Sequence, residues 1–358
     1  MSLVFLQVLA SVVDDLIHTV HCGARFQSYR ESADKVDTVE IQFEDGQTVQ
    51  TSLLIGADGA GSKLRRILAH GNARHTDKTA AQSYETRYNG QLLWNALIPT
   101  ADIPSQFVHR PGEVEYITCG NDGQVVLAFD AGQDQTSWYL TLMERDTDSF
   151  LEETRAALEG TGETPTSFGG FGRTGVKKQL EESFREWPLA LACLEATPES
   201  QIFERRLSDK PPLMEWTSHT NTNTNQAKRW NKQNDKHKPM YSRVVLMGDA
   251  AHPMIPSQGQ GTMMTWEDAA DLATLVSPHL TGSGSGSHTL HAKALSEALH
   301  AFVAARAERC ARVQRYSAQS YMGRRPSRFF PKQLLRMKNG MAQMNFIKNG
   351  YEPATPSS

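Results

Sequence analysis

The run RVVLM at 243–247 passes directly into GDAAHPMIPSQGQG at 248–261, and TMMTWEDA follows. A short apolar run bounded by polar sequence reads as a buried strand. The loop behind it is built to meet a ligand. Gly259 and Gly261 lack a Cβ, so the backbone there can approach a bound group closely. The helix that begins at this point carries about half a positive charge at its N-terminus and favours an anion. Gly248 and Asp249 stand at the carboxyl end of the strand, where open α/β sheets bind ligands. Like charges repel, so Asp249 is unsuited to phosphate; its carboxylate suits sugar-like hydroxyls, from which it accepts hydrogen bonds.

A second segment, LLIGADGAGSKLR at 53–65, repeats the strand, turn and helix order. Ser62 is placed to cap the helix that follows. Taken in order, the two segments resemble the flavin-binding motifs of the class A flavoprotein monooxygenases, the salicylate and para-hydroxybenzoate hydroxylase group. The resemblance assigns Asp249 to the ribityl chain of FAD, and Pro256, Gly259 and Gly261 to the loop beside the isoalloxazine ring; Gly248, next to Asp249 at the strand end, is a further cofactor-binding candidate. A reduced flavin, negative along one edge of that ring, is the kind of anion a helix N-terminus favours. The resemblance assigns Asp58 and Arg65 to the pyrophosphate region and the nicotinamide cofactor. The helix at 302–320, FVAARAERCARVQRYSAQS, is similar to the closing helix of the same family. One position departs from the pattern: Met263 stands where the family usually has Asn.

The implied fold is an α/β FAD-binding domain of the para-hydroxybenzoate hydroxylase type with an antiparallel β-sheet substrate domain. The family also opens on a strand, G-x-G-x-x-G, a helix and an acidic residue, and nothing upstream of Gly56 supplies them. An N-terminal truncation is therefore expected, with at least one βαβ unit of about 30 residues lacking, or a partner chain carrying it. The spacing G-x-G-x-x-G occurs once, at Gly170, Gly172 and Gly175, but TGETPTSFG before it reads as a loop. The expected division is 1–80 for the first part of the FAD-binding domain, 81–216 for the substrate domain, 217–240 for a disordered insert, 241–322 for the second FAD-binding part with its closing helix, and 323–358 for an extension.

Local patterns fill in this plan. Apolar spacing predicts a helix over 3–20; Val39, Ile41 and Phe43 with Asp45-Gly46 predict a β-hairpin whose second arm is the buried run Leu53–Ile55. Four strand-like runs between 82 and 145 (QLLWNALIP, EVEYITC, QVVLAFD, SWYLTLM), separated by turn residues, predict an antiparallel meander. Helices are expected at 147–159, 176–195, 264–277 and 289–320, with a GSGSGS linker at 282–287. The segment 217–240 holds five basic residues, one acidic residue and too few apolar groups to offset the entropy of ordering.

Composition narrows the function. A net charge of −3 gives no electrostatic case for nucleic acid or an anionic membrane. Cys22, Cys119, Cys193 and Cys310 stand far apart, so neither a zinc site nor a disulfide framework is expected, which suits a cytoplasmic protein. His18, His21 and Cys22 have helical spacing without a fourth ligand, and no metal is expected there. The apolar start is too short to span a bilayer. His252 reads as a loop-shaping residue.

The resemblance then implies NAD(P)H-driven hydroxylation of an aromatic or polyketide-like small molecule by oxygen, through a flavin C4a-hydroperoxide in a site walled off from water. Trp94, Tyr116, Phe129, Trp138 and Tyr139 are the candidate walls; no single residue is assigned as a catalytic base. Epoxidation or Baeyer–Villiger oxygenation on the same scaffold, and a non-catalytic remnant or interaction subunit, are the alternatives.

Overall fold

The structure, a computed structural model, describes residues 21–31, 38–72, 86–109, 114–118, 124–143, 169–171, 174–218, 241–256, 259–280 and 288–322. Phe26–Glu31 (β1), Val39–Phe43 (β2) and Thr48–Thr51 (β3) form a three-stranded antiparallel sheet in that order. The hairpin turns at Asp45-Gly46, where Asp45 Oδ1 accepts a hydrogen bond from the Gln47 amide at 2.9 Å and Gly46 takes a φ of +86°. Its second arm differs from expectation. Thr48–Thr51 is the arm, and Leu54–Gly56 (β4) leaves the hairpin to pair in parallel with Val244–Leu246 (β11). Ile55 on β4 remains 43% exposed, so that strand is not fully buried. Strand β1 was not legible in the sequence because a bulge between Phe26 and Ser28 breaks the two-residue period. Phe26 and Tyr29, three apart, both pack against the same core.

After helix α1 (Lys63–Asn72) come six antiparallel strands: Arg87–Pro99 (β5), Val114–Thr118 (β6), Val125–Gly132 (β7), Gln135–Met143 (β8), Gly169–Phe171 (β9) and Phe203–Asp209 (β10). Their order is β6-β7-β8-β5-β10-β9, which corrects the simple meander: β5 pairs with β8, not with β6. The β7–β8 turn falls on Gln133 and Asp134, both left-handed. Strand β10 was missed because its sequence, FERRLSD, is charged in the middle. Pairing explains part of that charge: the Trp94 indole N–H donates to Glu204 Oε2 at 2.6 Å.

The sheet has two differently used faces. One carries Trp94, Ile98, Val126, Trp138 and Leu140, and helices Val176–Ser183 (α2) and Pro188–Glu195 (α3) cover it with Leu180, Phe184 and Leu194. The sequence predicted one helix over 176–195; Pro188 divides it, since proline cannot donate to the preceding turn and is favoured as the first residue of a new helix. The opposite face carries Leu93 and Leu207 with Tyr139, and these pack on Ile255. The G-x-G-x-x-G run begins on a strand after all, but β9 is an antiparallel strand at the sheet edge. A dinucleotide turn instead follows a strand of a parallel sheet.

Helices α4 (Gly261–Leu280) and α5 (His288–Met322) pack together over β4 and β11, with Leu272, Leu275, Leu295, Leu299 and Phe302 in a shared core. Among the described residues no helix is long and apolar enough to cross a membrane. The helices expected at 3–20 and 147–159, the insert beyond residue 218, the 282–287 linker and the segment 323–358 lie outside the described residues. His21 and Cys22 are exposed and not helical, so the helical spacing they were read with is absent there.

Candidate flavin site

Strand β11 is completely buried and delivers the chain into a tight turn. Gly248 adopts a φ of +57°, and its carbonyl accepts from the Ala251 and His252 amides at 2.9 Å each. Asp249 projects from this turn to the surface, and no hydrogen bond joins its carboxylate to another described residue. Solvent reaches the side chain, yet the surrounding protein desolvates it enough to push its pKa up, with His252 pulling the other way. Asp249 Oδ1 lies 4.0 Å from where a Cβ on Gly261 would stand, and Gly261 begins α4. Gly259, at φ +64° with no atom within 4 Å of its absent Cβ, and Pro256 are both exposed on the intervening loop. Gly248, Asp249 and Gly261 are thus brought together at one helix N-terminus. An acceptor with unused lone pairs beside an open glycine backbone fits a flavin: Asp249 for the ribityl hydroxyls, Gly259 and Gly261 for close approach.

The other segment has a different geometry. Asp58 caps α1: its oxygens accept from Ser62 Oγ at 2.5 Å and from the Lys63 amide at 2.9 Å, while Ser62 Oγ accepts from the Arg65 amide at 2.8 Å. Arg65 is fully buried, and its guanidinium donates to the carbonyls of Ala250 (3.3 Å), Ala251 and Pro211 (3.0 Å). The two sequence motifs therefore meet through Arg65, which braces the Asp249 turn and presents no exposed charge. Lys210 sits nearby; burial first, then Arg65 and Arg66, push its pKa down to about 8, against the pull of Asp58.

Beneath the turn lies a buried ionic network that the sequence reading did not single out. Asp268 Oδ2 accepts from the Gly248 amide at 2.8 Å and meets His252 Nε2 at 2.6 Å. Asp268 Oδ1 accepts from Arg306 Nε at 2.8 Å, and Arg306 also reaches Glu267 at 2.6 Å. Burial alone would lower the His252 pKa, but the Asp268 hydrogen bond, with Cys310 nearby, raises it to about 10. Asp268 responds in the opposite sense, below the usual carboxylate range despite burial, through His252 and Arg306. His252, Asp268 and Cys310 bring ligand-type atoms within 4.8 Å of one another, but Arg306 already supplies the cation at that carboxylate. A signal was present in the sequence: Asp268 falls four residues after Met264 and four before Leu272, an acid on the apolar face of a helix.

The candidate walls separate by face. Trp94 and Trp138 are fully buried beneath α2 and α3, where the Trp138 indole donates to Thr197 Oγ1 at 3.0 Å. They therefore line no site near the 248–261 loop. Tyr139 lies on the face that meets Ile255, and Phe129 stacks on it at 6.0 Å between centroids. The Tyr116 side chain lies outside the described residues.

The FAD binding domain family matches residues 124–308, just over half of the chain. The chain is 26% identical over 282 residues to 6-hydroxynicotinate 3-monooxygenase of Bordetella bronchiseptica, covering 78% of this chain and 56% of that protein. It is 29% identical over 272 residues to the chloroplastic zeaxanthin epoxidase of Arabidopsis thaliana, covering 75% of this chain and 30% of that one. The chain thus spans about half or less of the length of these curated relatives. In fold it is similar to a salicylate hydroxylase solved as a substrate complex, with a TM-score of 0.62 at 18% identity, covering 97% of this chain and 72% of the other. With a family model matched over more than half of its length, the chain belongs to the FAD binding domain family, that of the class A flavoprotein monooxygenases.

Proposed function

We propose that the chain serves an FAD-dependent monooxygenase that uses NAD(P)H and oxygen to hydroxylate an aromatic or polyketide-like small molecule. One observation carries this reading: Ile255, inside the flavin loop, packs against Leu93 and Leu207, with Tyr139 beside them, on the face of the large sheet that the helices leave uncovered. The sheet and the loop therefore share an apolar wall where a ring can lie next to the flavin. FAD, when bound, would supply the redox chemistry that links the nicotinamide reductant to oxygen. The chain's own residues bind and orient. Asp249 would accept hydrogen bonds from the ribityl hydroxyls, with Gly248 turning the backbone that carries it; the Pro256, Gly259 and Gly261 backbone would admit the ring, and Leu93, Tyr139 and Ile255 would keep water away. Asp58 and Arg65 contribute by building the floor of the pyrophosphate side, as cap and brace.

The purified chain incubated with FAD and desalted tests this. A yellow protein whose flavin bands bleach with NADPH and return in air supports the reading. A protein that stays colourless at saturating FAD sinks the idea that this chain holds the cofactor, and favours a non-catalytic or interaction role. The likeness to a zeaxanthin epoxidase supports epoxidation as a second outcome on the same site, and product analysis separates a new hydroxyl from an epoxide.

A further inference from the structure

Asp268 holds both ends of the turn that carries Asp249. Its Oδ2 accepts from the Gly248 amide at 2.8 Å and meets His252 Nε2 at 2.6 Å, so one oxygen closes the five-residue loop from below. Its Oδ1 is held by Arg306, and Arg306 is in turn fixed by Glu267 at 2.6 Å and by the Met264 carbonyl at 3.1 Å. Asp268, His252 and Arg306 are each at least 99% buried, so water does not substitute for these bonds. From the other side Arg65 grips the Ala250 and Ala251 carbonyls, and the His252 ring lies against Trp216 at 5.4 Å. Asp249, at the middle of the turn, has no hydrogen bond of its own to a described residue. Its direction is set by backbone that other side chains hold.

We propose that Asp268 is a positioning residue for the flavin: it acts through the Gly248–His252 backbone to aim the Asp249 carboxylate at the ribityl hydroxyls. This rests on the flavin reading above. Arg306 makes the closing helix part of the device, because the Asp268 carboxylate can hold a donor at each end of the turn only while its second oxygen is fixed from α5. Asp268 touches no ligand itself, so its effect on binding must pass through Asp249.

A double-mutant cycle on the full chain, with FAD as the probe and fluorescence quenching as the readout, tests this. Asp268→Asn is expected to weaken FAD binding about tenfold, the equivalent of one lost hydrogen bond. In an Asp249→Ala background the same change is expected to weaken it no further, because the acceptor that Asp268 aims is already removed. A merely structural role gives additive losses, and additivity overturns the proposal. Should Asp268→Asn fail to fold, His252→Asn releases only one end of the turn and is carried through the same cycle with the same outcomes. Amide exchange of the unliganded chain supplies a second readout. Gly248 exchange should accelerate at least tenfold in Asp268→Asn, which removes its acceptor, while the Leu246 amide, bonded to the Trp216 carbonyl, stays protected. If the unaltered chain takes up no FAD, the flavin reading fails by itself. The exchange result then still decides whether Asp268 holds the turn, and unchanged Gly248 protection overturns that.

Discussion

Arg65 and Ala250 stand 185 residues apart in the chain and share a hydrogen bond of 3.3 Å, with the guanidinium wholly buried. Through it, the helix after β4 braces the turn after β11, and the parallel pairing of those two strands is locked at their carboxyl ends. The fork of donors on arginine suits this task, because one planar group reaches three carbonyls at once.

Arg65→Met should therefore destabilise the protein by about 3–5 kcal/mol, given roughly 1.5–3 kcal/mol for each charge-assisted bond and partial relief by water. Arg65→Lys keeps the charge but not the fork, and is expected to recover less than half of the loss. Urea unfolding followed by tryptophan fluorescence measures both. Equal stability of the two variants would show that charge, not geometry, is what the turn requires.

The raised pKa of His252 fixes a direction for the alkaline stability profile. Its folded-state value of about 10 lies above the unfolded value of about 6.5. The stabilisation is complete below about pH 6.5 and is lost progressively as the pH rises through 10. Lys210 works in the opposite sense: its folded value, about 8, lies below the unfolded value of about 10.4, so its share of stability grows over that interval. The difference between the natural chain and His252→Gln isolates the histidine. That difference should shrink steadily from pH 7 to pH 10, and a difference independent of pH would contradict a protonated His252. On the acid side, Asp268, held low by His252 and Arg306, contributes stability that is lost as the pH falls through its folded value.

Much of this was legible in the sequence, for identifiable reasons. The β11, loop and α4 succession announced itself because buried strand, glycine loop and helix are each local patterns. Ser62 as a helix cap was equally local. The failures were non-local. Strand order depends on which strands close the sheet, and nothing in QLLWNALIP says that it pairs with SWYLTLM ahead of its sequence neighbour. The FERRLSD strand hid its period behind charges that are satisfied only by partners such as Trp94 and Arg87. Asp268 and Arg306 form a pair 38 residues apart, visible only once α4 and α5 are packed. The hold of Arg65 on the Ala250 and Ala251 carbonyls was likewise not legible, because its burial is decided by the 248–253 turn closing over it.

Trp138 and Tyr139 are neighbours in β8 on opposite sides of the sheet, and they should fail in different ways. Trp138→Ala empties a fully buried site and breaks the bond to Thr197, for an expected loss of about 3–5 kcal/mol. Tyr139→Ala removes a half-buried ring that stacks on Phe129, for about 1–2 kcal/mol. Under the proposed function it is Tyr139→Ala that raises the KM for the aromatic substrate, since its face meets Ile255. Unfolding and steady-state assays on both variants check the division. A KM change confined to the tryptophan variant would place the substrate on the helix-covered face and overturn the assignment.

Gly248 and Gly259 both lie in the left-handed region, yet alanine should act differently at the two. At either position the backbone strain of a Cβ costs about 1–2 kcal/mol. At Gly248 the added atom also meets Thr265 Oγ1 at 3.0 Å and Cγ2 at 3.1 Å, from a threonine whose hydroxyl is tied to the Gly261 carbonyl. Gly248→Ala is therefore expected to lose about 2–4 kcal/mol, of which Thr265→Ala in the same chain restores the contact part and not the strain. At Gly259 nothing lies within 4 Å, so Gly259→Ala should lose only the strain. Under the proposed function FAD would occupy that open space, and FAD affinity is where the variant should show its larger defect. Thermal unfolding and FAD titration of the three variants separate the effects. Full recovery of Gly248→Ala by Thr265→Ala would mean that the left-handed backbone at this turn carries no strain, and that the glycine is there for space alone.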